Sequence, residues 1–180
     1  MSDETARRAP EPSEETAMPF MAELADQLIR RGLVTPDAIR GCTDAEIAAL
    51  RQAQGVRALP AAYLDFLAIT GKNPYWLSRD GEWDYASLLR AKQTAREIVA
   101  DDDDRSFAPF EDAYILQTHQ GYAFEYFRGA DLDEPDPPIW LYEEAQPERA
   151  GPSTFTGWIG ELAADLPRLL ETRRRLGIQA

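Results

Sequence analysis

The sequence predicts an α+β fold, with N-terminal helices, a central antiparallel sheet of about four strands and a closing C-terminal helix. Three observations predict this fold class. Apolar residues recur with a helical period through the first hundred residues, and aromatic residues then alternate with other residues near positions 114–126. A long apolar stripe with helical spacing returns from Phe155 to Leu170. Helices, then strands, then a helix is the order of an α+β domain whose helices pack on one sheet.

The chain is expected to begin with a flexible tail over residues 1–17, because this stretch has too few apolar side chains to offset the entropy of ordering. Residues 18–180 are expected to form a single domain. Its first helix starts at Phe20, where apolar residues recur every four positions, and ends near Arg31 before Gly32. Pro36 then predicts a short helix that stops near Gly41.

Two helices with clear end signals follow. Thr43 and Glu46 form a capping box that predicts a helix as far as Gln54, which Gly55 closes. The pair Leu59 and Pro60 opens the next helix, and Gly71 ends it. The residues predicted to face the core from these two helices are Ile47, Leu50, Tyr63, Phe66 and Leu67.

The middle of the chain changes from helix to strand. Residues 85–99 carry a weaker helical pattern, interrupted by Lys92, and residues 114–119 alternate as a strand. A second strand presents the aromatic face formed by Tyr122, Phe124 and Tyr126, and Gly121 lies in the hairpin turn between the two. These aromatics are interpreted as core residues, because their acidic surroundings disfavour base stacking. Residues 139–142 predict a further strand after a proline-rich stretch.

The last segment predicts a strong amphipathic helix from Phe155 onward. Ser153 or Thr154 is expected to cap it, and Pro167 is expected to kink it or to start a second helix. Arginines at 173–175 complement the negative end of the helix dipole.

The negative charge of the chain is concentrated in one segment. The whole chain has 19 basic and 32 acidic side chains, a net charge of -13. Residues 101–148 carry 14 acidic and two basic side chains, a net of -12. Such a segment repels nucleic acid and attracts cationic partners, although a solvated face that only keeps the protein dispersed is the alternative interpretation.

The residues that usually carry enzyme or metal chemistry are few. One cysteine and one histidine exclude a disulfide framework, a multi-cysteine zinc site and an HExxH motif. Cys42 and His119 are weighed as a thiol–imidazole pair against two separate structural residues, and the structural interpretation is favoured. The acidic runs lack the spacing of a calcium loop, and Walker and GxSxG motifs are absent. No catalytic residue, metal site or cofactor is therefore predicted.

No signal for membrane insertion or secretion is found in the sequence. No run of about 18 apolar residues is present, and the N-terminal residues lack the apolar centre of a secretory signal. A cytoplasmic protein without a membrane partner is therefore expected, and its single thiol fits a reducing compartment.

The order of motifs resembles the SUKH superfamily, bacterial domains akin to a fungal regulator of cell-wall synthesis. The resemblance covers about residues 40–165. Its first part is the helix–Leu59–Pro60–helix segment 43–71, and its second part runs from Phe110 through Gly121 and the following strands to Trp158. Members of the family usually continue from the helices through paired strands and a proline-led strand to a closing helix, which is the order found here.

This resemblance implies a protein-binding function. Many bacterial members are immunity proteins that neutralise a polymorphic toxin, often a nuclease, and others are regulatory or scaffolding modules, which is the alternative here. The expected partner is a cognate toxin domain. Either that domain is cationic and the acidic segment docks it, or it is not basic and the acidic surface is incidental. No nucleic acid is expected to bind, and the sequence gives no signal of oligomeric state. The residues expected to contact the partner are Asp101, Asp102, Asp103, Asp104, Asp131, Asp133, Glu134, Asp136, Trp140, Glu143 and Glu144.

Overall fold

The computed structural model describes residues 20–102 and 105–177, so the expected tail over residues 1–17 lies outside the described residues. In that part of the chain, six α-helices accompany a four-stranded antiparallel sheet whose strands neighbour one another in chain order. Helices precede and follow the sheet, which confirms the predicted α+β class. Among these residues no helix combines the length and the apolar character needed to cross a membrane.

The N-terminal helices form where their end signals predict them. They are α1 (Phe20–Arg30), α2 (Asp44–Gln54) and α3 (Ala61–Thr70). The capping box of α2 is complete, because Thr43 N donates to Glu46 Oε2 at 2.8 Å and Glu46 N donates to Thr43 Oγ1 at 3.3 Å. Gly55 ends α2 in the left-handed conformation, with φ 68°. The short helix expected to stop near Gly41 is a 3-10 helix that already ends at Ala38.

The weak helical pattern over residues 85–99 is two helices, α4 (Tyr85–Leu88) and α5 (Ala91–Asp101). The interruption predicted at Lys92 is wrong, because the break precedes it and Lys92 is buried within α5. Its Nζ donates to the carbonyl oxygens of Gln54 at 2.6 Å and Glu111 at 2.7 Å. These bonds satisfy the ammonium group, so a charged residue is tolerated on the buried face of the helix.

The sheet comprises β1 (Tyr114–His119), β2 (Ala123–Phe127), β3 (Pro138–Glu143) and β4 (Arg149–Thr154). The first three strands confirm the predicted strands, whereas the sequence pattern does not locate the fourth strand. The outer edge of β1 is covered, because Glu82 N donates to Thr118 O at 2.8 Å and Thr118 N donates back to Glu82 O at 3.2 Å. Covering an edge in this way prevents further strand pairing there.

Aromatic side chains fill the space on both faces of the sheet. On one face Tyr63 of α3 packs against Tyr114, Phe127 and Phe155, with ring centroids 5.2 to 5.5 Å apart. On the other face Phe110 packs edge-on against three strand aromatics, Phe124, Tyr126 and Tyr142. The prediction that Tyr122 is also core is wrong. It precedes β2, in the turn, and is 44% exposed.

Helix α6 (Phe155–Arg175) closes the fold. Thr154 caps it, as predicted, by accepting a hydrogen bond from Gly157 N at 3.4 Å. The helix continues through Pro167, so no second helix starts there. The predicted stripe is buried at Phe155, Ile159 and Leu166, and Ala163 is buried beside it. The extension of the stripe to Leu169 is wrong, because that side chain is exposed.

Candidate functional site

The acidic residues expected to bind a partner lie at the two ends of β3. The turn-side acids are Asp101, Asp102, Glu143 and Glu144, near the turn that joins β3 to β4. The loop acids are Asp131, Asp133, Glu134 and Asp136, in the segment between β2 and β3. Because β3 has six residues, the two groups are separated by about 17 Å along the strand. Asp103 and Asp104 lie outside the described residues.

Among the turn-side acids, Asp102 holds the end of α5 against the sheet. Its carboxylate accepts a hydrogen bond from Tyr142 Oη at 2.6 Å and one from Ala145 N at 3.4 Å. The hydrogen bond from Tyr142 holds the pKa of Asp102 below its usual value, and Arg105, 3.6 Å away, acts in the same direction. Asp102 is therefore an ionised positioning residue. Asp101 and Glu144 are exposed beside it.

Glu143 forms a bridge between the two strands that the turn joins. Arg149 Nη2 lies 3.0 Å from Glu143 Oε2, and the arginine side chain is 57% exposed. An ion pair that is exposed to this degree contributes little to stability, so both groups can exchange their partner for one on another molecule.

The loop acids divide into one that caps a helix and three that face outward. Asp136 accepts hydrogen bonds from Thr156 N at 3.0 Å and Thr156 Oγ1 at 2.5 Å, in the first turn of α6. A carboxylate in that position satisfies an orphan amide and complements the helix dipole. Asp133 and Glu134 are exposed and Asp131 is half-buried. The carboxylates of the three outward acids are therefore the ones that can pair with cationic groups of a partner.

Trp140 lies on β3 between the two acidic groups and is half-buried. The guanidinium of Arg128 lies over its ring, 3.2 Å from the centroid, which is a cation–π contact. Its indole Nε1 is buried and donates to no described residue. The ring is thus covered by a cation that a partner's side chain would have to displace.

A cavity near the turn was not predicted from the sequence. It has a volume of about 370 Å³ and a mainly apolar lining. Its lining residues are Glu125, Ile139, Leu141, Arg149, Ala150, Gly151, Ser153 and Trp158. The Ser153 hydroxyl there is buried without a hydrogen-bond partner among the described residues. The small residues Ala150 and Gly151 of β4 leave this space open. The sequence does not indicate the cavity, because its pattern does not predict the strand β4 that forms one wall.

Glu125, at the rim of the cavity, pairs with the one histidine. Its two carboxylate oxygens lie 2.8 and 3.0 Å from Nε2 of His119, and Asp80 Oδ1 lies 3.9 Å from Nδ1. The hydrogen bond to Glu125 raises the pKa of His119 above its ordinary value, although burial acts in the opposite direction. His119 therefore keeps its proton to a higher pH than a free imidazole does, and its protonated form pairs with the Glu125 carboxylate on the cavity side of the sheet.

We expect the Glu125→Gln variant to lower the pKa of His119, since burial still disfavours the charged imidazole once the carboxylate is gone. Asp80→Asn should lower it less, because Asp80 is more distant and its side chain is 89% exposed. The imidazole resonance can be followed by NMR without further assignment, because the chain has one histidine.

The pairing also has a consequence for stability. Because the pKa is raised in the folded state, the stabilisation is complete below the unfolded pKa of about 6.5 and is lost as the pH rises through the folded pKa. Chemical unfolding of the wild type at several pH values should show this loss, and Glu125→Gln should not. An unchanged His119 pKa in Glu125→Gln would contradict the assignment.

Cys42 is separate from this pair. It is buried, and burial raises the pKa of its thiol to about 11. The contacts of the His119 imidazole go to Glu125 and Asp80 instead. The thiol–imidazole pair weighed from the sequence is not formed.

Within residues 20–102 and 105–177, no three His, Cys, Asp or Glu side chains come together closely enough to hold a metal ion.

The chain matches no protein-family model, and comparisons with curated proteins and with solved structures found no similar protein.

Proposed function

We propose that this chain is a protein-binding module in the bacterial cytoplasm, and that it acts as an immunity protein that neutralises a polymorphic toxin by direct binding. The observation that carries the proposal is the outward set of acids at the two ends of β3: Asp101, Asp131, Asp133, Glu134 and Glu144. None of their side chains forms an ion pair with a described residue. The motif order, which resembles that of the SUKH superfamily, supports the same function.

The two acidic groups are close enough for one partner to contact both. A typical interface covers about 800 Å² on each protein, which is a patch roughly 30 Å across, and β3 separates the groups by about 17 Å. Acids arranged in this way attract a cationic toxin domain from a distance and raise its association rate. A toxin that acts on nucleic acid carries a cationic substrate path, which an acidic surface would block.

The cavity beside the turn offers a place for a buried contact with the partner, which attraction between charges does not provide. Steered association changes mainly the rate of encounter, whereas residence depends on buried contacts near the centre of an interface. Arg149 belongs to the cavity wall and also pairs with Glu143, so the cavity lies next to the turn-side acids. An apolar or aromatic side chain of the toxin would fill it.

The proposal is tested by co-expression with the candidate toxin encoded beside this gene. A bacterial host should survive expression of the toxin only when this chain is present. Death in its presence, or a harmless neighbour, would overturn the immunity function. Recovery of a cell-wall or signalling protein as the bound partner would then favour the regulatory or scaffolding alternative.

The docking surface is tested separately by neutralising acids. The triple variant Asp131→Asn, Asp133→Asn, Glu134→Gln should slow association with the toxin domain by about tenfold at low salt and flatten its salt dependence. The matched control Glu23→Gln, Asp26→Asn, Glu161→Gln removes the same charge from exposed positions on α1 and α6. Equal association rates for the two triples, measured by stopped flow, would show that the loop acids are not the interface.

A further inference from the structure

A groove at the far end of the molecule is lined by arginines rather than by acids. Two adjoining cavities of about 410 and 310 Å³ share the residues Leu33, Val34, Thr35, Leu170 and Arg173. The walls come from the segment after α1, the segment after α3 and the last turns of α6. Two cavities joined through shared walls make one elongated groove.

Three arginines line this groove: Arg79 from the segment after α3, and Arg173 and Arg174 from α6. Within the described chain none of the three forms an ion pair, whereas Arg168 and Arg175 on the same helix pair with Asp165 and Glu171. The arginines are not needed to cap the helix end. The last carbonyls of α6 accept hydrogen bonds from the backbone amides of Leu176 and Gly177. Three arginines thus line one groove, and none of them is held in an ion pair with a described carboxylate.

The opposite wall is aromatic, and its polar atoms are already bonded. Trp76 Nε1 donates to Thr70 Oγ1 at 2.6 Å, and Tyr75 Oη donates to a carboxylate oxygen of Asp84. Asn73 Nδ2 donates to the carbonyl of Ala38 at 2.8 Å, which ties this wall to the segment after α1. These bonds fix the wall and leave its apolar ring surfaces for contact with a ligand.

The groove is remote from the acidic site. Asp136 contacts α6 at Thr156, and Arg173 follows 17 residues later, about 26 Å along the helix axis. The molecule therefore has separate surfaces of opposite charge at the two ends of α6.

We propose that this arginine-lined groove is a second binding site, which takes an acidic peptide segment of a partner protein with an aromatic or aliphatic side chain among its carboxylates. Guanidinium groups bind carboxylates through paired, charge-assisted hydrogen bonds, and the elongated shape with one aromatic wall suits an extended chain. A chain of net charge -13 repels acidic partners in general, so a site of this kind needs its cations grouped as they are here. The protein would then join a cationic partner at β3 to an acidic one at the end of α6.

The test uses the full-length protein and a fluorescein-labelled peptide in which aspartates and glutamates flank one phenylalanine and one leucine. Fluorescence anisotropy should show binding that weakens at least about tenfold in the triple variant Arg79→Gln, Arg173→Gln, Arg174→Gln. The matched control Arg90→Gln, Arg168→Gln, Arg175→Gln carries the same charge change on exposed arginines and should bind within about twofold of the wild type. Circular dichroism should show that both triples are folded.

Three outcomes would overturn the proposal. Equal weakening in the two triples would mean that net charge alone is measured, and undiminished binding of a peptide with alanine for its phenylalanine and leucine would mean that the apolar wall is not used. Groove-dependent binding to vesicles containing anionic lipid, without peptide binding, would identify a membrane-surface site instead. The groove triple should leave toxin association at β3 unchanged, so this proposal and the proposed function fail independently.

Discussion

Replacing Gln54 with alanine is expected to destabilise the protein by about 3–5 kcal/mol, more than any of the charge substitutions above. Gln54 is 1% exposed, and its side chain bonds the backbone of two other elements. Its Oε1 accepts from Ile115 N at 2.7 Å, and its Nε2 donates to the carbonyls of Ile115 at 3.0 Å and Leu88 at 3.2 Å. Alanine leaves these buried groups without partners and opens a cavity beside them.

The size of the effect follows from the position of Ile115. It lies on β1, the edge strand, and its backbone amide and carbonyl on that side have no neighbouring strand to bond. The Gln54 amide supplies one donor and one acceptor, as another strand would. Urea unfolding should show the loss, and the exposed neighbour Gln52→Ala should change the free energy of unfolding by no more than about 0.5 kcal/mol. A loss below about 1 kcal/mol for Gln54→Ala would contradict the role assigned to this side chain.

A second variant at this position separates lost bonds from lost volume. Gln54→Glu keeps the shape, but its ionised carboxylate faces two carbonyl oxygens and can donate to neither of them. The introduced carboxyl should therefore have a raised pKa in the folded state. Its protonated form is favoured, so the variant should gain stability relative to wild type as the pH falls toward 4. If volume alone mattered, Gln54→Glu would match the wild type at every pH.

The helices and strands that can be predicted from the sequence are those that local residue patterns encode. The capping box of α2, the stripe of α6 and the alternation of β1 each depend on residues close together in the chain. β4 has the sequence RAGPST, which shows no apolar alternation, so the strand forms by pairing with β3 rather than by its own pattern. The local pattern predicts an interruption at Lys92, because the carbonyl partners that let this residue be buried, Gln54 and Glu111, are distant in sequence.

The sequence predicts which acidic residues belong to the candidate site, but it does not predict how these residues are arranged in space. In the sequence, residues 101–148 form one acidic segment. In the folded chain, Asp102 lies beside Ala145, and Asp136 lies at the start of α6. Sequence also treats all acids alike. The structure separates Asp102 and Asp136, which bond to the protein itself, from Asp133 and Glu144, which are exposed. The arginine-lined groove joins residues more than 130 positions apart, and no local pattern indicates it.

The substitution Gly41→Ala is expected to cost at least about 3 kcal/mol and to lower the melting temperature by about 6–12 °C. A methyl group on Gly41 would lie 1.7 Å from the carbonyl oxygen of Ala68 and 2.4 Å from its carbon, in the backbone of α3. The two segments cannot move apart freely, because hydrogen bonds join them on both sides of the contact. Cys42 N donates to Leu67 O at 2.8 Å and Lys72 N donates to Arg40 O at 3.0 Å.

The matched control is Gly160→Ala, in the interior of α6. A methyl group there meets no atom within 4 Å, so alanine should stabilise the helix by about 0.5–1 kcal/mol. The sequence pattern predicts that a helix stops near Gly41, and in that role alanine would cause only a small loss of stability. The structure instead assigns it a close backbone approach, which alanine cannot make. Scanning calorimetry decides between these roles by the size of the shift, because only the close backbone approach predicts that Gly41→Ala lowers the melting temperature by about 6–12 °C while Gly160→Ala raises it slightly.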